Sequence, residues 1–307
     1  MSAGVTLVTG VTGLIGGAVA RRLLENGTPF VASDIVPVPN APYRSIEHDL
    51  RDHHRWHDII RQFGISRVVH AGGISGPMLL MGQPAQICDI NLQGLAGLLE
   101  AARLVGLERI VWFSSITAYG DRPDLAPVPE QTPLRPSTIY AATKAAGEAL
   151  MAGYHHEYGV DGVALRVASC YGPGRTTSCL IRTIIEDALA GQVTKVNPAA
   201  DRSRQHIFVD DVVDAVIAAL DVPKPTDRIF NIGPGRMQSL DEIVEAVREV
   251  VPAAKVELDD DGLAWNTFGV GPLLIDAARR HLGFEPRTSL ASGARQTRDW
   301  VEQRGRS

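Results

Sequence analysis

The sequence predicts an α/β protein: a doubly wound parallel sheet joined to a smaller, discontinuous α/β unit. Three observations carry this expectation. Short apolar runs alternate with longer amphipathic ones through the first half of the chain. A glycine-rich turn separates the first apolar run from the first amphipathic one. The composition is also that of an ordinary globular chain, with 45% apolar, 21% charged and 6% aromatic residues and 30 glycines among 307 residues. At ~150 residues per domain, that is chain for about two domains with a large core. It excludes a disordered, collagenous or disulfide-stapled protein. A net charge of −5 offers no basic field for nucleic acid.

The elements follow in order. Val5–Thr9 reads as a buried strand, 13–26 as a helix with Gly27 near its end, and Phe30–Asp34 as the second strand. A short strand at 45–49, a helix at 51–63 and a strand at 67–71 come next. Then a long helix at 84–105 precedes a strand at 109–114, and a second long helix at 137–158 precedes a strand at Gly162–Val167. After Tyr171 the texture changes at the turn Gly172-Pro173-Gly174. A helix at 180–190, a strand at 207–209, a helix at 212–220 and a strand at 228–232 follow, and the rest, from 240–251 onward, reads as a small α/β appendage. The expected division is 1–171 for the main unit, with 205–235 returning to it, and 172–204 plus 236–307 for the second.

Cys88, Cys170 and Cys179 are an odd, widely spaced set without metal-ligand spacing, so reduced thiols and a cytoplasmic setting are expected. The first residues show no signal-peptide pattern, and no apolar run is long enough to span a bilayer. His48, His53, His54 and His57 read as an exposed group rather than a metal cluster, and no metal is expected.

Thr9-Gly10-Val11-Thr12-Gly13-Leu14-Ile15-Gly16 closes the first strand and opens the first helix. Glycines there permit a tight turn and the approach of a pyrophosphate, and the helix N-terminus adds N–H donors. Asp34 ends the second strand, 24 positions after Gly10. A carboxylate in that place accepts both ribose hydroxyls of NAD and repels the extra phosphate of NADP, and neither Ile35 nor Val36 supplies a positive charge. Asp49, beside Leu50, is placed to accept the adenine amino group. The expected cofactor is therefore NAD, on a Rossmann-type unit.

Tyr140 and Lys144 are four apart on an expected helix and share a face. A free phenol, with a pKa of about 10, is a poor base at neutral pH. A close ammonium favours the phenolate. Ser115, at a strand's carboxyl end, can hydrogen-bond a substrate oxygen beside Tyr140, which would take the alcohol proton.

These motifs, with His70-Ala71-Gly72, Asn91-x-x-Gly94, Ser114-Ser115 and Tyr140-x-x-x-Lys144 in that order, resemble the extended short-chain dehydrogenases/reductases, the NAD-dependent epimerase/dehydratase superfamily. Later segments agree: Leu165-Arg166, Tyr171-Gly172-Pro173-Gly174, Arg204 before Val209-Asp210-Asp211, and Phe230-Asn231-Ile232-Gly233. The resemblance implies a Ser115–Tyr140–Lys144 catalytic set, with Ser115 chosen over Ser114 by its spacing to Tyr119-Gly120. It implies cofactor contacts from His70, Ala71, Gly72 and Asn91, with structural roles equally open for His70 and Asn91. Ser75, Ser115, Ile116, Thr117, Ser169, Arg175 and Arg204 are the candidate substrate contacts. It also implies a homodimer through a four-helix bundle of the two long helices.

Departures from the pattern narrow the reaction. Sugar-nucleotide 4,6-dehydratases carry an Asp-Glu pair after the catalytic residue, where this chain has Ile116 and Thr117. Nucleotide-sugar epimerases carry Asn in place of Ser169 and supply an Arg from the segment before Asp276, whereas residues 265–275 contain no Lys or Arg. The expected reaction is thus NAD-dependent oxidation of a secondary alcohol on a small polar substrate: a sugar, sugar acid or hydroxy acid. The alternative is a nucleotide-sugar 4-epimerase similar to UDP-glucose 4-epimerase, with tightly bound NAD.

Overall fold

The computed structural model describes residues 4–198, 204–264 and 268–305. The strands are β1 (Val5–Thr9), β2 (Phe30–Asp34), β3 (Ser45–Glu47), β4 (Ile65–His70), β5 (Arg109–Ser115), β6 (Gly162–Val167), β7 (Ser169–Tyr171), β8 (Thr194–Val196), β9 (His206–Phe208), β10 (Ile229–Ile232) and β11 (Val256–Leu258). Seven of them form one sheet in the order β10-β6-β5-β4-β1-β2-β3. Every pairing in it is parallel. The central strands β5 and β6 are buried along their whole length, as a parallel sheet covered on both faces requires.

The helices are α1 (Leu14–Glu25), α2 (His53–Phe63), α3 (Pro84–Cys88), α4 (Gly94–Val105), α5 (Ile139–Tyr158), α6 (Leu180–Leu189), α7 (Val209–Asp221), α8 (Leu240–Arg248), α9 (Asp276–Leu282) and α10 (Leu290–Gly305). Adjacent β1 residues feed the two layers. Leu7 packs with Trp56, Leu98 and Trp112 under α2, α4 and α5, and Val8 packs with Val19, Val111 and Val216 under α1 and α7. Local chemistry sets the ends: Asp52 caps α2, Thr138 caps α5, and Gly64 and Gly159 end these helices in the left-handed region.

Two expectations are corrected. The long helix expected at 84–105 is interrupted by a π-helical turn, Asp89–Gln93, between α3 and α4. At its centre Asn91 turns its amide onto Ile74 and Thr143. Second, of the segment expected to return to the main sheet, β10 joins it beside β6, but β9 pairs with β7 in a separate two-stranded ribbon. The ribbon begins just past Ala168, where Ser169 faces His206. The last part of the chain is mainly helical, through α8, α9 and α10, with β11 against β8. No helix among the described residues is long and apolar enough to cross a membrane.

Candidate active site

A cleft of about 520 Å³ runs along the carboxyl ends of the sheet strands. Its first end is built from backbone. Gly10 follows β1 at φ +70°, and a Cβ there would lie 2.6 Å from the Ala71 carbonyl and the Gly72 nitrogen. A Cβ on Gly16 would lie 2.2 Å from the Gly10 oxygen. Only glycine fits either place. Gly13 precedes α1 without a capping side chain, and the first turn holds no acidic residue. The first-turn amides, among them Leu14 and Ile15, therefore lack both helical and side-chain acceptors, which leaves them open to an anion.

Asp34 stands at the tip of β2 in the same cleft. Its Oδ2 accepts from the Thr12 amide at 2.9 Å and the Thr12 hydroxyl at 2.7 Å, and its Oδ1 from the Ile35 amide at 2.8 Å. Asp49 lines the cleft next to Leu50 and is paired with Arg51, Nε to Oδ1 at 3.0 Å. The Arg51 hydrogen bonds hold the Asp49 carboxyl below its ordinary range. His48 is buried, contrary to the exposed group expected, and its ring meets the Trp56 indole edge-on at 4.3 Å. His70 is also buried, with Nδ1 2.8 Å from the Thr9 hydroxyl, which accepts from the Gly72 amide at 2.9 Å. Burial, helped by the Lys144 charge, drives His70 down to about 3, so it is neutral. His70, Ala71 and Gly72 line the cleft, whereas Asn91 does not. It clamps the 74–75 loop to α5 from behind, through Ile74 and Thr143.

The middle of the cleft holds the expected catalytic set. Ser115 ends β5, and Tyr140 and Lys144 lie on the first turns of α5, 6% and 7% exposed. The Ser115 oxygen accepts from the Thr117 hydroxyl at 2.9 Å and its amide at 3.2 Å. Lys144 Nζ stands 4.9 Å from the Trp112 ring centre and 5.7 Å from that of Tyr140. Burial pushes Lys144 down to about 8. Burial also raises the Tyr140 phenol, against the opposing hydrogen bond to Ser115 and the Arg175 charge. Burial therefore sets the direction, opposite to the lowering expected from a close ammonium. Ser114 turns its hydroxyl away, donating to Glu148 at 2.5 Å.

The far end is built from side chains. Ser75, Ile116, Thr117, Ser169 and Arg175 all line it, and Arg204 is not among the lining residues. Arg175 donates through Nη1 to the Cys170 carbonyl and through Nη2 to the Ser178 carbonyl at 2.8 Å. Its Nε is buried without a partner. Sequence reasoning missed Thr176, Thr177, His206 and Phe268, which also line this end. The hydroxyl run directly after Arg175 was a usable signal. His206 was legible only once β9 was paired with β7. Burial, with the Arg175 charge, pushes His206 down to about 4, and its Nδ1 has no partner. Of the segment without Lys or Arg, residues 265–267 lie outside the described residues, and Phe268 faces the cleft.

Comparison with known proteins agrees with this geometry. Residues 6–233 match the family described as NAD dependent epimerase/dehydratase. UDP-glucose 4-epimerase of Mycolicibacterium smegmatis is 29% identical over 310 residues, covering 95% of this chain and 96% of that one. UDP-glucuronate 4-epimerase of Thermodesulfobacterium geofontis is 26% identical, covering 98% and 97%. The solved structure of UDP-glucose 4-epimerase with UDP-glucose from Thermotoga maritima matches with a TM-score of 0.87 at 25% identity, covering 98% and 99%.

Proposed function

The chain belongs to the NAD dependent epimerase/dehydratase family, and from that premise we propose that Ser115, Tyr140 and Lys144 carry out oxidation and reduction at a secondary alcohol of a small polar substrate. The observation that carries this reading is one cleft holding the glycine turn and Asp34 at one end and Ser115, Tyr140 and Lys144 in its middle. The residues present suit NAD. Gly10 and Gly16 leave no room for a Cβ, the uncapped first turn of α1 is open to a pyrophosphate, and Asp34 offers a carboxylate without a basic neighbour in sequence. Asp49, Leu50, Ala71 and Gly72 would flank the adenine and ribose.

Bound NAD would supply an oxidised nicotinamide that accepts hydride from the alcohol carbon. Tyr140 takes the alcohol proton, and Ser115 hydrogen-bonds the same oxygen and fixes its direction. Lys144, protonated below about pH 8, favours the phenolate form of Tyr140. Residues 172–204 and 236–307, which we read as a second unit, supply Arg175, Thr176, Thr177 and Phe268 to the substrate end. Its described lining carries one cation, Arg175, which suits a single carboxylate, as in a sugar acid or hydroxy acid. A second reading, a nucleotide-sugar 4-epimerase, is favoured by the names of the relatives. A cytoplasmic homodimer, with α4 and α5 meeting their mates in a four-helix bundle, completes the proposal.

The test is incubation of the purified protein with NAD and either free sugar acids and hydroxy acids or UDP-glucose and UDP-glucuronate. Lasting growth of reduced-cofactor absorbance with a free acid supports the dehydrogenase. Formation of the 4-epimer of a UDP-sugar by NMR, without that growth, establishes the epimerase. No reaction with any of them and no NAD binding would overturn the proposal.

A further inference from the structure

The mechanism leaves unused a buried carboxylate on the catalytic helix. Glu148 lies four residues beyond Lys144 and eight beyond Tyr140 on α5, and it is 5% exposed. Its Oε1 accepts from the Ser114 hydroxyl at 2.5 Å and from Arg166 Nε at 2.8 Å, and its Oε2 from Arg166 Nη2 at 2.6 Å. One side chain thus ties α5 to β5 through Ser114 and to β6 through Arg166. Arg166 is fixed from behind, since its Nη1 donates to the Tyr119 hydroxyl at 2.7 Å and the Glu130 carbonyl at 2.8 Å. The Tyr119 hydroxyl in turn donates to Asn231 Oδ1 at 2.7 Å.

We propose that Glu148 is a positioning residue: held by Arg166 and Ser114, it sets the Tyr140–Lys144 stretch of α5 against the Ser115 end of β5. The proposal rests on the reading of Ser115, Tyr140 and Lys144 as the reacting groups. Two physical arguments support it. A buried ion pair is a poor way to gain stability, because apolar residues of the same volume pack as well, and what the pair does supply is one geometry out of several. The place of the tie also matters. Ser114 directly precedes Ser115, so its hydrogen bond to Glu148 fixes the register between the strand end and a helix that carries the phenol about 12 Å away along its axis. Gly147 brings the helix so close to Trp112 that a Cβ would lie 2.5 Å from the indole, so a small tilt of α5 would be felt at the Lys144–Trp112 contact.

The test uses two variants that leave the charge of the site unchanged, Ser114→Ala and Glu148→Asp, in the full chain. The readout is the Lys144 titration, followed by Trp112 emission as the difference from Lys144→Met. The midpoint expected for the unaltered protein is about 8, because burial lowers it. A helix released from the strand admits water to Lys144, so both variants should raise the midpoint by about half a pH unit or more. A lowered Tm with the midpoint unmoved would reduce Glu148 to a brace and overturn the proposal, as would no change in either quantity. Ser114→Ala removes one hydrogen bond and leaves the ion pair intact, so it carries the test even where Glu148→Asp does not fold. NAD titration of the unaltered protein is the separate control: failure to bind defeats the functional reading, whereas an unmoved midpoint defeats only this one.

Discussion

The two ends of the cleft are made of different material. At the cofactor end the walls are main chain: Gly10 and Gly16 touch backbone atoms with no room for a Cβ, and the first turn of α1 presents amides. The side chains there are held by near neighbours, Asp49 by Arg51 and Asp34 by Thr12 and Ile35. At the substrate end the walls are side chains brought from separate segments: Ser75, Ser169, Arg175, His206 and Phe268. A backbone-built site specifies one ligand, because any side chain added to it collides. A side-chain-built site can change its ligand by substitution without disturbing the fold. Substitutions at the two ends should therefore separate cleanly in what they damage.

The largest effect is expected where the ends meet. Tyr140→Phe removes the hydroxyl proposed to take the alcohol proton and leaves the buried ring in place. Turnover should fall about 10²- to 10⁴-fold, as for loss of a positioned general base. The NAD dissociation constant, measured by titration calorimetry, should stay within about twofold. Near-normal turnover would show that the reacting group lies elsewhere in the cleft.

Lys144 comes next, and its effect shows in stability as well as rate. Its folded value of about 8 lies below the ordinary lysine value, so between the two the unfolded chain binds more protons than the folded one. The burial penalty is present in full below pH 8 and is relieved as pH rises through 8 toward the ordinary value. At about 1.4 kcal/mol per pKa unit the penalty is on the order of 3 kcal/mol. Lys144→Met should therefore abolish most turnover yet raise Tm by several degrees at pH 7, with the gain shrinking above pH 8. A Tm that falls would mean the ammonium is stabilised by its place over Trp112 rather than penalised.

The contrast between the ends also explains what the sequence disclosed. The sheet, the glycine turn, Asp34 and the Tyr140–Lys144 pair are local patterns, with spacings set by strand period, helix period and a tight turn, and each lies where expected. The substrate end is not local. His206 reaches the cleft because β9 pairs with β7, a register that no single segment encodes. Arg204, two residues earlier, carries the more suggestive side chain and does not line the cleft. The break in the long helix is not local either, because Asn91 stands out in sequence only as part of Asn91-x-x-Gly94, and its partners Ile74 and Thr143 come from elsewhere in the chain. The Tyr140 phenol was misjudged for an energetic reason: the pattern places the lysine, but only packing sets the cost of burying the ring.

A smaller effect is expected at Asp34. Asp34→Ala removes the proposed acceptor for the ribose hydroxyls and also frees the Thr12 hydroxyl. NAD affinity should weaken about tenfold or more, the equivalent of one to two charge-assisted hydrogen bonds. NADP affinity should weaken less, or improve, because a repelling carboxylate is gone. Equal losses for the two cofactors would mean that Asp34 serves the Thr12 turn alone and does not choose between them.

The smallest effect, and the one that separates the substrate readings, is expected at Arg175. Its Nη1 and Nη2 already hold the Cys170 and Ser178 carbonyls, so part of its work is to shape the loop. Its charge nevertheless bears on the Tyr140 phenol, lowering it, and both residues line the same cleft. Arg175→Lys keeps the charge and gives up the planar fork that matches a carboxylate. If the substrate carries a carboxylate beside the reacting alcohol, KM for that acid should rise about fivefold to tenfold, the cost of about one charge-assisted hydrogen bond, with NAD affinity unchanged. A substrate anchored by a diphosphate lies farther from this arginine at its charged end, so KM for a UDP-hexose without a carboxylate should move by less than about twofold. An equal rise for the free acid and the UDP-hexose would mean that Arg175 acts through the loop it holds, and the single-carboxylate reading of the substrate end would fall with it.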